Sequence, residues 1–184
     1  MKKALFSALM AFLTVTACAE EDFEVLDAGD TGAEGLDEDT FRFWTGWTSE
    51  EDPPSACPNR YVARGVDCKG KYCDDLKMDC HYTGRWHGDT SWLPAISEES
   101  PQNVASCTAS NEWMTGFSCS GKYCDNVSLR CTELANTSTG SCTWSGWYSE
   151  EQAPFNAPSG RYIKGMRCNG KYCDNKQYRH CVMN

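Results

Sequence analysis

Several signatures of catalysis and metal binding are missing from this chain of 184 residues. It contains no Gly-x-Ser-x-Gly, no His-Glu-x-x-His and no phosphate-binding glycine loop, and it has only three histidines. Cysteines at Cys-x2-Cys spacing are absent too, which argues against an intracellular zinc protein. The carboxylate pair of a glycoside hydrolase has no fixed sequence spacing, so that chemistry stays open. These absences predict a protein that is not an enzyme and has no metal or cofactor.

Helical and membrane-spanning patterns are also missing. No segment combines a helical period of apolar residues with capping residues. No apolar run reaches the roughly 18 residues of a membrane-spanning helix. The chain carries 17 Lys and Arg against 26 Asp and Glu and has no basic field. Without a basic field, nucleic acid is not an expected partner. Without a helical pattern, the domain is expected to be all-β.

The first residues are typical of an export signal. Lys2 and Lys3 supply the positive charge, and the apolar stretch Ala4–Val15 follows. The next residues, up to Cys18, resemble the lipobox of bacterial lipoproteins. In that family the signal is removed before the cysteine, which then carries the lipid. The resemblance implies a signal peptide at 1–17 and a lipid anchor on Cys18. An ordinary signal peptide cut beside this cysteine is the alternative.

The segment after Cys18 indicates a location and a tether. Ala19 rather than Asp follows the cysteine, and by the lipoprotein family's sorting tendency this favours the bacterial outer membrane or cell surface. Residues 19–41 contain ten acidic side chains and no basic one. Such a segment repels itself and cannot bury a core. We expect residues 18–41 to be a lipidated, disordered tether that holds a domain at 42–184 clear of the membrane.

Three segments share the pattern Cys-x-Gly-Lys-Tyr-Cys-Asp: Cys68–Asp74, Cys119–Asp125 and Cys168–Asp174. Tryptophans, a central glycine and a closing cysteine recur around these segments. A repeat this small must pack against its copies to bury a core. The domain therefore consists of three copies, at about 42–82, 90–132 and 142–184.

Each copy is predicted to contain three or four short β-strands. The stretches 61–66, 113–117 and 162–166 carry β-branched or aromatic residues around one central glycine. A glycine inside a strand indicates a bulge, or a neighbouring side chain that lies across the backbone. The glycine of each Cys-x-Gly-Lys segment suits a tight turn with a positive φ angle.

The combined pattern resembles the vitelline membrane outer layer protein I family. It consists of paired tryptophans, a Cys-Pro pair, a glycine after an aromatic residue, and an acidic pair before a closing cysteine. The matching residues are Trp44, Trp47, Cys57, Pro58, Gly65, Asp74, Asp75 and Cys80 in copy one, and Trp144, Trp147, Pro158, Gly165, Asp174 and Cys181 in copy three. The resemblance implies a three-repeat β-prism of short antiparallel sheets. The Cys-x4-Cys segment departs from that family's pattern, and a β-trefoil is the alternative.

The chain has thirteen cysteines, and an even number remains once Cys18 is set aside, as expected in an oxidising compartment. Copies one and two each hold an outer and an inner pair. Copy three has Ala157 where Cys57 would fall, but it gains Cys142. Pairing outer with outer and inner with inner predicts the disulfides Cys57–Cys80, Cys68–Cys73, Cys107–Cys131, Cys119–Cys124, Cys142–Cys181 and Cys168–Cys173.

The repeated Lys-Tyr-Cys-Asp segments are the first candidate ligand site. Each places a cation beside an aromatic ring on a disulfide-closed loop. Aromatic faces stack on the C–H faces of sugars, while Lys and Asp hydrogen-bond the hydroxyls. The alternative is that the tyrosines belong to the core and the aspartates cap their own turns. The candidate residues are Lys71, Tyr72, Asp74, Lys122, Tyr123, Asp125, Lys171, Tyr172 and Asp174.

Two further features recur or stand alone. The tryptophans at equivalent places in the copies are expected to be core, whereas Trp86, in the linker between copies one and two, is expected to be an exposed ligand contact. The Ser-Glu-Glu triplets at 49–51, 97–99 and 149–151 are expected to be solvated loops rather than calcium ligands.

Two functions follow from these expectations. The first is a non-catalytic carbohydrate-binding, lectin-like module that recognises a glycan or polysaccharide. The second is a structural lipoprotein whose rigid domain binds another protein of the cell envelope. In both, the membrane is a partner through the lipid anchor.

Overall fold

Short runs of β-branched and aromatic residues alternate with turns along the domain, and they form strands. The computed structural model describes residues 41–99 and 103–184. Single 3₁₀ turns lie at Lys122–Cys124 and Lys171–Cys173. The twelve strands of the described residues are β1 Arg42–Trp44, β2 Ser55–Ala56, β3 Tyr61–Lys69, β4 Asp75–Tyr82, β5 His87–Trp92, β6 Val104–Ser106, β7 Glu112–Ser120, β8 Asn126–Leu134, β9 Thr139–Trp144, β10 Phe155–Asn156, β11 Arg161–Asn169 and β12 Asn175–Met183.

The strands form three antiparallel sheets of four strands each. Sheet 1 has the order β1-β4-β3-β10, sheet 2 the order β2-β7-β8-β5, and sheet 3 the order β6-β11-β12-β9. The long hairpin of one copy forms the centre of each sheet, with that copy's opening strand at one edge. The strand at the other edge comes from a different copy. The predicted three-repeat, disulfide-rich β-prism is thereby confirmed, and the three copies are interlocked.

The central glycine of each long strand makes room for the strand that arrives from another copy. The pairing register shifts beside Gly65, Gly116 and Gly165, which confirms the predicted bulges. A Cβ atom on Gly116 would lie 2.7 Å from the carbonyl oxygen of Ser55, and one on Gly165 would lie 2.7 Å from that of Ala105. Real Cβ atoms do not approach a carbonyl this closely, so glycine is required where the exchanged strand passes.

Six disulfides staple the described residues, and all six predicted pairs are confirmed. The outer bonds of copies one and two join neighbouring sheets, because the first cysteine of each follows an exchanged strand and the second lies in a central strand. The inner bonds close the three short loops at one end of the sheets. The pairs are Cys57–Cys80, Cys68–Cys73, Cys107–Cys131, Cys119–Cys124, Cys142–Cys181 and Cys168–Cys173.

Copy three closes differently from the other two. Cys142 lies directly opposite Cys181 in the pairing of β9 with β12, so this disulfide joins two strands of the same sheet. Ala157, at the place of Cys57, is buried and follows the strand that enters sheet 1. The boundary between copy three and sheet 1 therefore has no disulfide across it, unlike the equivalent boundaries of copies one and two.

Side chains from all three sheets form one large core that includes Phe117 and Tyr178, and Trp113 belongs to a second, smaller core. Trp113, Tyr178 and Phe117 are among the largest fully buried side chains. The indole of Trp113 donates to the hydroxyl of Thr137 at 3.1 Å, so its one polar atom is satisfied inside the core. No helix among the described residues is long and apolar enough to cross a membrane. The predicted signal peptide, Cys18 and most of the acidic tether lie outside the described residues.

Candidate functional site

The three Lys-Tyr-Cys-Asp segments form reversed turns of one shape, called the tips below. Gly70, Gly121 and Gly170 begin them with φ angles of 75°, 76° and 77°, as predicted for these glycines. The tyrosine and the second cysteine of each tip also have positive φ angles. Two consecutive residues with side chains in this region cost about 1–2 kcal/mol each. A disulfide closes each tip and holds the turn in this conformation.

The tips bring the three repeated tyrosines together. The ring centroids of Tyr72 and Tyr123 are 5.4 Å apart, those of Tyr72 and Tyr172 are 5.0 Å apart, and those of Tyr123 and Tyr172 are 5.1 Å apart. The rings are tilted or edge-to-face, which is the favoured geometry for aromatic pairs. Each ring is partly buried. The three tips therefore form a single composite cluster rather than three separated sites.

The repeated lysines surround this tyrosine cluster. The ammonium groups of Lys71, Lys122 and Lys171 lie 5.2, 5.1 and 5.0 Å from the ring centroid of the tyrosine that follows each of them. Each also lies within 6.0 Å of the ring of one neighbouring copy. Cation–π attraction accounts for this packing. Because each tyrosine ring also packs against the other two rings of the cluster, less aromatic surface is left for a sugar to stack on.

The Ser-Glu-Glu triplets tie the tips of different copies together. Glu50 of copy one accepts a hydrogen bond from the backbone amide of Tyr123 at 3.3 Å, and Glu98 of copy two accepts one from that of Tyr172 at 2.7 Å. Glu50, Glu51 and Glu99 are exposed, as expected for solvated loops, but the first glutamate of these two triplets is also bound to a neighbouring tip. The repeated position of the triplets in the sequence was the available signal.

The tip aspartates lie over the turn glycines, where little water reaches them. Burial raises the pKa of Asp74, and the charges of Asp75 and Glu50 add to this effect. For Asp174, burial together with a hydrogen bond to Glu150 and that residue's charge raises the pKa to about 6. A side chain on Gly70 would overlap the Asp74 carboxylate, so glycine is needed beneath it.

A buried lysine lies below the tip of copy three. Lys176 is fully buried at the position that Leu76 and Val127 hold in the other copies, and its ammonium donates to the Cys173 carbonyl at 2.8 Å. Burial lowers the pKa of Lys176 to about 8, and the carboxylates of Asp174 and two nearby glutamates oppose this effect. Lys176 therefore supplies a positive charge close to the carboxylates of this tip.

One group near the tips has the residue types of a metal site. Ligand atoms of Cys73, Glu150 and Asp174 lie within 4.8 Å of one another. The sulfur of Cys73 belongs to a disulfide, so it is not a thiolate ligand. Two carboxylates remain, which are fewer oxygen ligands than a calcium or magnesium ion requires. This donor set does not fit a metal ion.

The recurring tryptophans are not core residues, so that expectation was wrong. Trp44, Trp47 and Trp144 are partly exposed, and Trp92 and Trp147 are 44% and 40% exposed. Trp44, Trp92 and Trp144 lie on the outer faces of the sheets because residues of a strand alternate between its two faces, and Trp47 and Trp147 follow three residues after the strands that end at Trp44 and Trp144. The core tryptophan is Trp113, which has no counterpart in the other copies. Tryptophan pairs thus form platforms on the outer faces of sheets 1 and 3.

The platform of sheet 1 combines two indole rings with cations. The ammonium of Lys77 lies 4.8 Å from the Trp44 ring centroid and 4.4 Å from that of Trp47. Lys69 lies 4.5 Å from the Trp47 ring. Lys77 also pairs with Asp67 on the neighbouring strand, with 3.1 Å between nitrogen and oxygen. The two rings are thus fixed by cation–π contacts and an ion pair on a rigid sheet.

The platform of sheet 3 has the same plan with different charges. The guanidinium of Arg167 lies 4.6 Å from the Trp144 ring centroid and 5.6 Å from that of Trp147. Its Nε donates to the Gln177 side-chain oxygen at 2.6 Å. Sheet 2 has only Trp92 on this face, with Ala95 at the place of the second tryptophan. Two of the three faces therefore carry a complete platform.

Trp86 is exposed, as expected for the linker between copies one and two. Its side chain is 55% exposed, and the guanidinium of Arg60 lies 3.7 Å from its ring centroid. It borders a depression of about 300 Å³ that Glu133 and Asn136 also line. This site stands apart from the tips and from both tryptophan platforms. No protein-family model, curated protein or solved structure matches this chain.

Proposed function

We propose that this protein is a non-catalytic, lectin-like carbohydrate-binding protein, anchored through lipid on Cys18 at the bacterial outer membrane or cell surface. The observation that carries the proposal is the paired tryptophans on the outer faces of sheets 1 and 3. Indole faces stack on the C–H faces of sugar rings, and polar groups beside them hydrogen-bond hydroxyls. Strands hold these side chains in place before a ligand arrives, which lowers the entropic cost of binding.

The arrangement favours weak binding at each platform and stronger binding overall. A shallow face with two aromatic rings makes too few contacts to offset fully the lost translational and rotational freedom of a ligand. Two platforms on one domain, and many domains on one membrane, raise the effective concentration for a polymeric ligand. A polysaccharide therefore suits this domain better than a free monosaccharide.

The proposed lipid anchor has support from the cysteine count. The six disulfides use twelve of the thirteen cysteines, which leaves Cys18 without a partner in this framework. The kinship with the vitelline membrane outer layer protein I family also remains a proposal, based on the sequence motifs. Cys18→Ala should release the protein from the membrane fraction. Membrane retention of this variant would contradict the anchor.

Polysaccharide retention of the full chain tests the carbohydrate proposal. Trp47→Ala and Trp147→Ala should each reduce retention on immobilised polysaccharides, and the double variant should abolish it. Trp92→Ala is the matched control, because it removes an exposed tryptophan from the sheet that lacks a platform. The chain should release no reducing sugar from the same polysaccharides.

The outcomes separate three locations for the site. Unchanged retention of the folded double tryptophan variant would contradict the platforms. Loss of retention in Tyr72→Ala, Tyr123→Ala and Tyr172→Ala combined would move the site to the tips, and loss in Trp86→Ala would move it to the linker. If the wild-type chain retains no polysaccharide and instead captures an envelope protein, the alternative function holds.

A further inference from the structure

The charges around the two tryptophan platforms differ although the platforms have the same plan. We propose that the outer face of sheet 3 is a subsite for an acidic saccharide, one that carries a carboxylate or a sulfate group, whereas sheet 1 binds neutral sugar. This inference rests on the proposed carbohydrate-binding function and names the ligand class of one of its two sites. Equivalent residues of copies one and three differ in number by 100, so the two faces can be compared position by position.

Three basic residues around the sheet 1 platform each have an acidic partner. Lys77 pairs with Asp67 at 3.1 Å, Lys69 with Asp75 at 3.9 Å, and Arg42 with Asp79 at 3.7 Å. These three pairs join residues of neighbouring strands on the same face. The three positive and three negative charges cancel, so this face has no preference for a charged ligand.

Sheet 3 has lost every acid of these three pairs. Asp67 is replaced by Arg167, Asp75 by Asn175 and Asp79 by Arg179. The basic partners become Gln177, Asn169 and Cys142. At these six positions, sheet 1 is neutral and sheet 3 carries two positive charges without an acid. Because of these two positive charges, the outer face of sheet 3 should attract anions.

The two guanidinium groups are placed beside the tryptophans. The guanidinium of Arg167 lies beside the Trp144 ring, and its Nε–H donates to the Gln177 side chain. The terminal NH₂ groups of Arg167 are left to bind a ligand. Arg179 lies directly opposite Trp144 in the pairing of β12 with β9. Its side chain forms no hydrogen bond or ion pair with any other described residue. Two arginine forks therefore flank one indole ring on this face.

A groove beside Trp144 gives the ligand room. It measures about 350 Å³, and Val104 and Ser106 line one side while Thr143 and Trp144 line the other. Arg179 completes the lining. Ser106, which lines the groove, pairs with Gly165, a strand position without a side chain. A sugar ring that stacks on the indole could thus direct an acidic substituent toward Arg179.

Arginine is the suitable residue for this task. Its planar fork matches the geometry of a carboxylate or sulfate, and charge-assisted hydrogen bonds are about twice as strong as neutral ones. The arginines on this surface are exposed enough that salt should weaken the attraction. We therefore expect affinity for acidic polysaccharide to fall as the salt concentration rises, and affinity for neutral polysaccharide to remain constant.

Affinity electrophoresis of the oxidised full chain tests the inference. The gels contain polyuronate, dextran sulfate or neutral dextran, and one gel contains polyglutamate as an acidic polymer without sugar. Arg167→Gln and Arg179→Gln should each weaken the retardation by polyuronate or dextran sulfate about tenfold, as expected for loss of one charge-assisted hydrogen bond. Retardation by neutral dextran should not change. Arg85→Gln is the charge-matched control, because Arg85 is exposed in the linker and away from both platforms.

The outcomes distinguish failure of the acidic-sugar subsite from failure of the carbohydrate-binding function. Retardation by polyuronate but not by dextran sulfate identifies the group as carboxylate, and the reverse identifies sulfate. If Arg85→Gln weakens binding as much as Arg179→Gln, or if polyglutamate binds equally well, the acidic-sugar subsite is overturned. If the chain binds neutral dextran through Trp47 and shows no arginine-dependent binding of acidic polymers, the inference is overturned and the proposed function stands. If the wild-type chain binds no polysaccharide at all, both are overturned.

Arg167→Lys keeps the folded sheet testable if glutamine disturbs it. Lysine retains the charge near the tryptophans but lacks the planar fork. We expect it to bind acidic polymers more weakly than the wild type and still in a salt-dependent way, because the charge remains while the paired hydrogen bonds of the fork are lost. Equal affinity of Arg167→Lys and the wild type would show that the fork makes no contact with the ligand.

Discussion

Ala157 and Arg64 join the third copy to the first by two hydrogen bonds. The backbone amide of Ala157 donates to the Arg64 carbonyl at 2.9 Å, and the Arg64 side chain donates back to the Ala157 carbonyl at 3.2 Å. The equivalent amides of Cys57 and Cys107 donate across the other two boundaries at 2.8 and 2.7 Å. The backbone hydrogen bond is therefore the same at all three boundaries, whereas the Ala157 boundary has an additional bond from the Arg64 side chain and lacks a disulfide.

The boundary at Ala157 should open most easily. We expect its amide to exchange with deuterium faster than the amides of Cys57 and Cys107, because those two residues are also held by disulfides to another sheet. Hydrogen exchange measured residue by residue on the oxidised protein checks this. The Cys57 and Cys107 amides are built-in controls with matched hydrogen bonds. Equal protection of all three would show that packing alone closes the boundary.

The exchanged strands should make the central glycines intolerant of substitution. Gly116→Ala places a methyl group 2.7 Å from the Ser55 carbonyl oxygen and 3.2 Å from the Arg130 side chain. We expect the free energy of unfolding to fall by about 2 kcal/mol or more. Gly146→Ala is the control, because nothing lies within 4 Å of its Cβ position. Urea unfolding of both variants measures the difference, and equal stability would contradict the close approach of the strand.

The tyrosine cluster should contribute to stability without being essential to the fold. Tyr172→Ala removes ring contacts at 5.0 Å and 5.1 Å, and we expect the free energy of unfolding to fall by about 1–2 kcal/mol. Tyr172→Phe keeps the ring and should have near-normal stability. Thermal unfolding with the disulfides intact checks both variants. A Tyr172→Ala chain that fails to fold would place this ring in the essential core.

The carboxyl group of Asp174 should make the protein more stable in mild acid. Burial raises its pKa from 3.8 to about 6, so the native state binds more protons than the unfolded state between these values. Stability therefore falls as the pH rises through this window and stays lower above it. Solvent screens part of this effect, because the group is only partly buried.

Asp174→Asn should remove this part of the pH dependence. We expect the decrease in melting temperature between pH 4 and pH 6 to be smaller in this variant by about 2 °C. Asp89→Asn, at an exposed strand position, is the control and should follow the wild type. Melting curves of the wild type and both variants between pH 4 and pH 6 check this prediction. Parallel profiles for Asp174→Asn and the wild type would show that the carboxyl is well solvated.

Much of the architecture was predictable because its causes are local. The recurrence of the tip pattern indicated three copies, and the even number of cysteines with one compensating gain at Cys142 led to all six disulfides. Positive φ angles at Gly70, Gly121 and Gly170 follow from a turn that only glycine adopts without strain. The bulges at the central glycines follow in the same way from the lack of a side chain.

The partners of the side chains were not predictable, because they come from other copies. Alternation along a strand places the recurring tryptophans on one face, but the sequence does not say which face is covered. Their repetition predicted that these tryptophans are core residues, but the structure places them on the outer face. The reach of Glu50 and Glu98 to neighbouring tips likewise depends on how the copies are arranged around one another. Distance in space, not spacing in the chain, decides such contacts.

The amino-acid sequence by itself determined three repeated units, their turns and their disulfides, because each depends on residue type and short-range geometry. Only the tertiary structure decided that strands are exchanged between copies, that three tyrosines meet in one cluster, and that two tryptophan platforms face outward. The charge difference between those platforms arises at Asp67 and Arg167, and at Asp79 and Arg179. The effect of these charges on a ligand depends on the sheet, which places Arg167 and Arg179 beside the same indole ring.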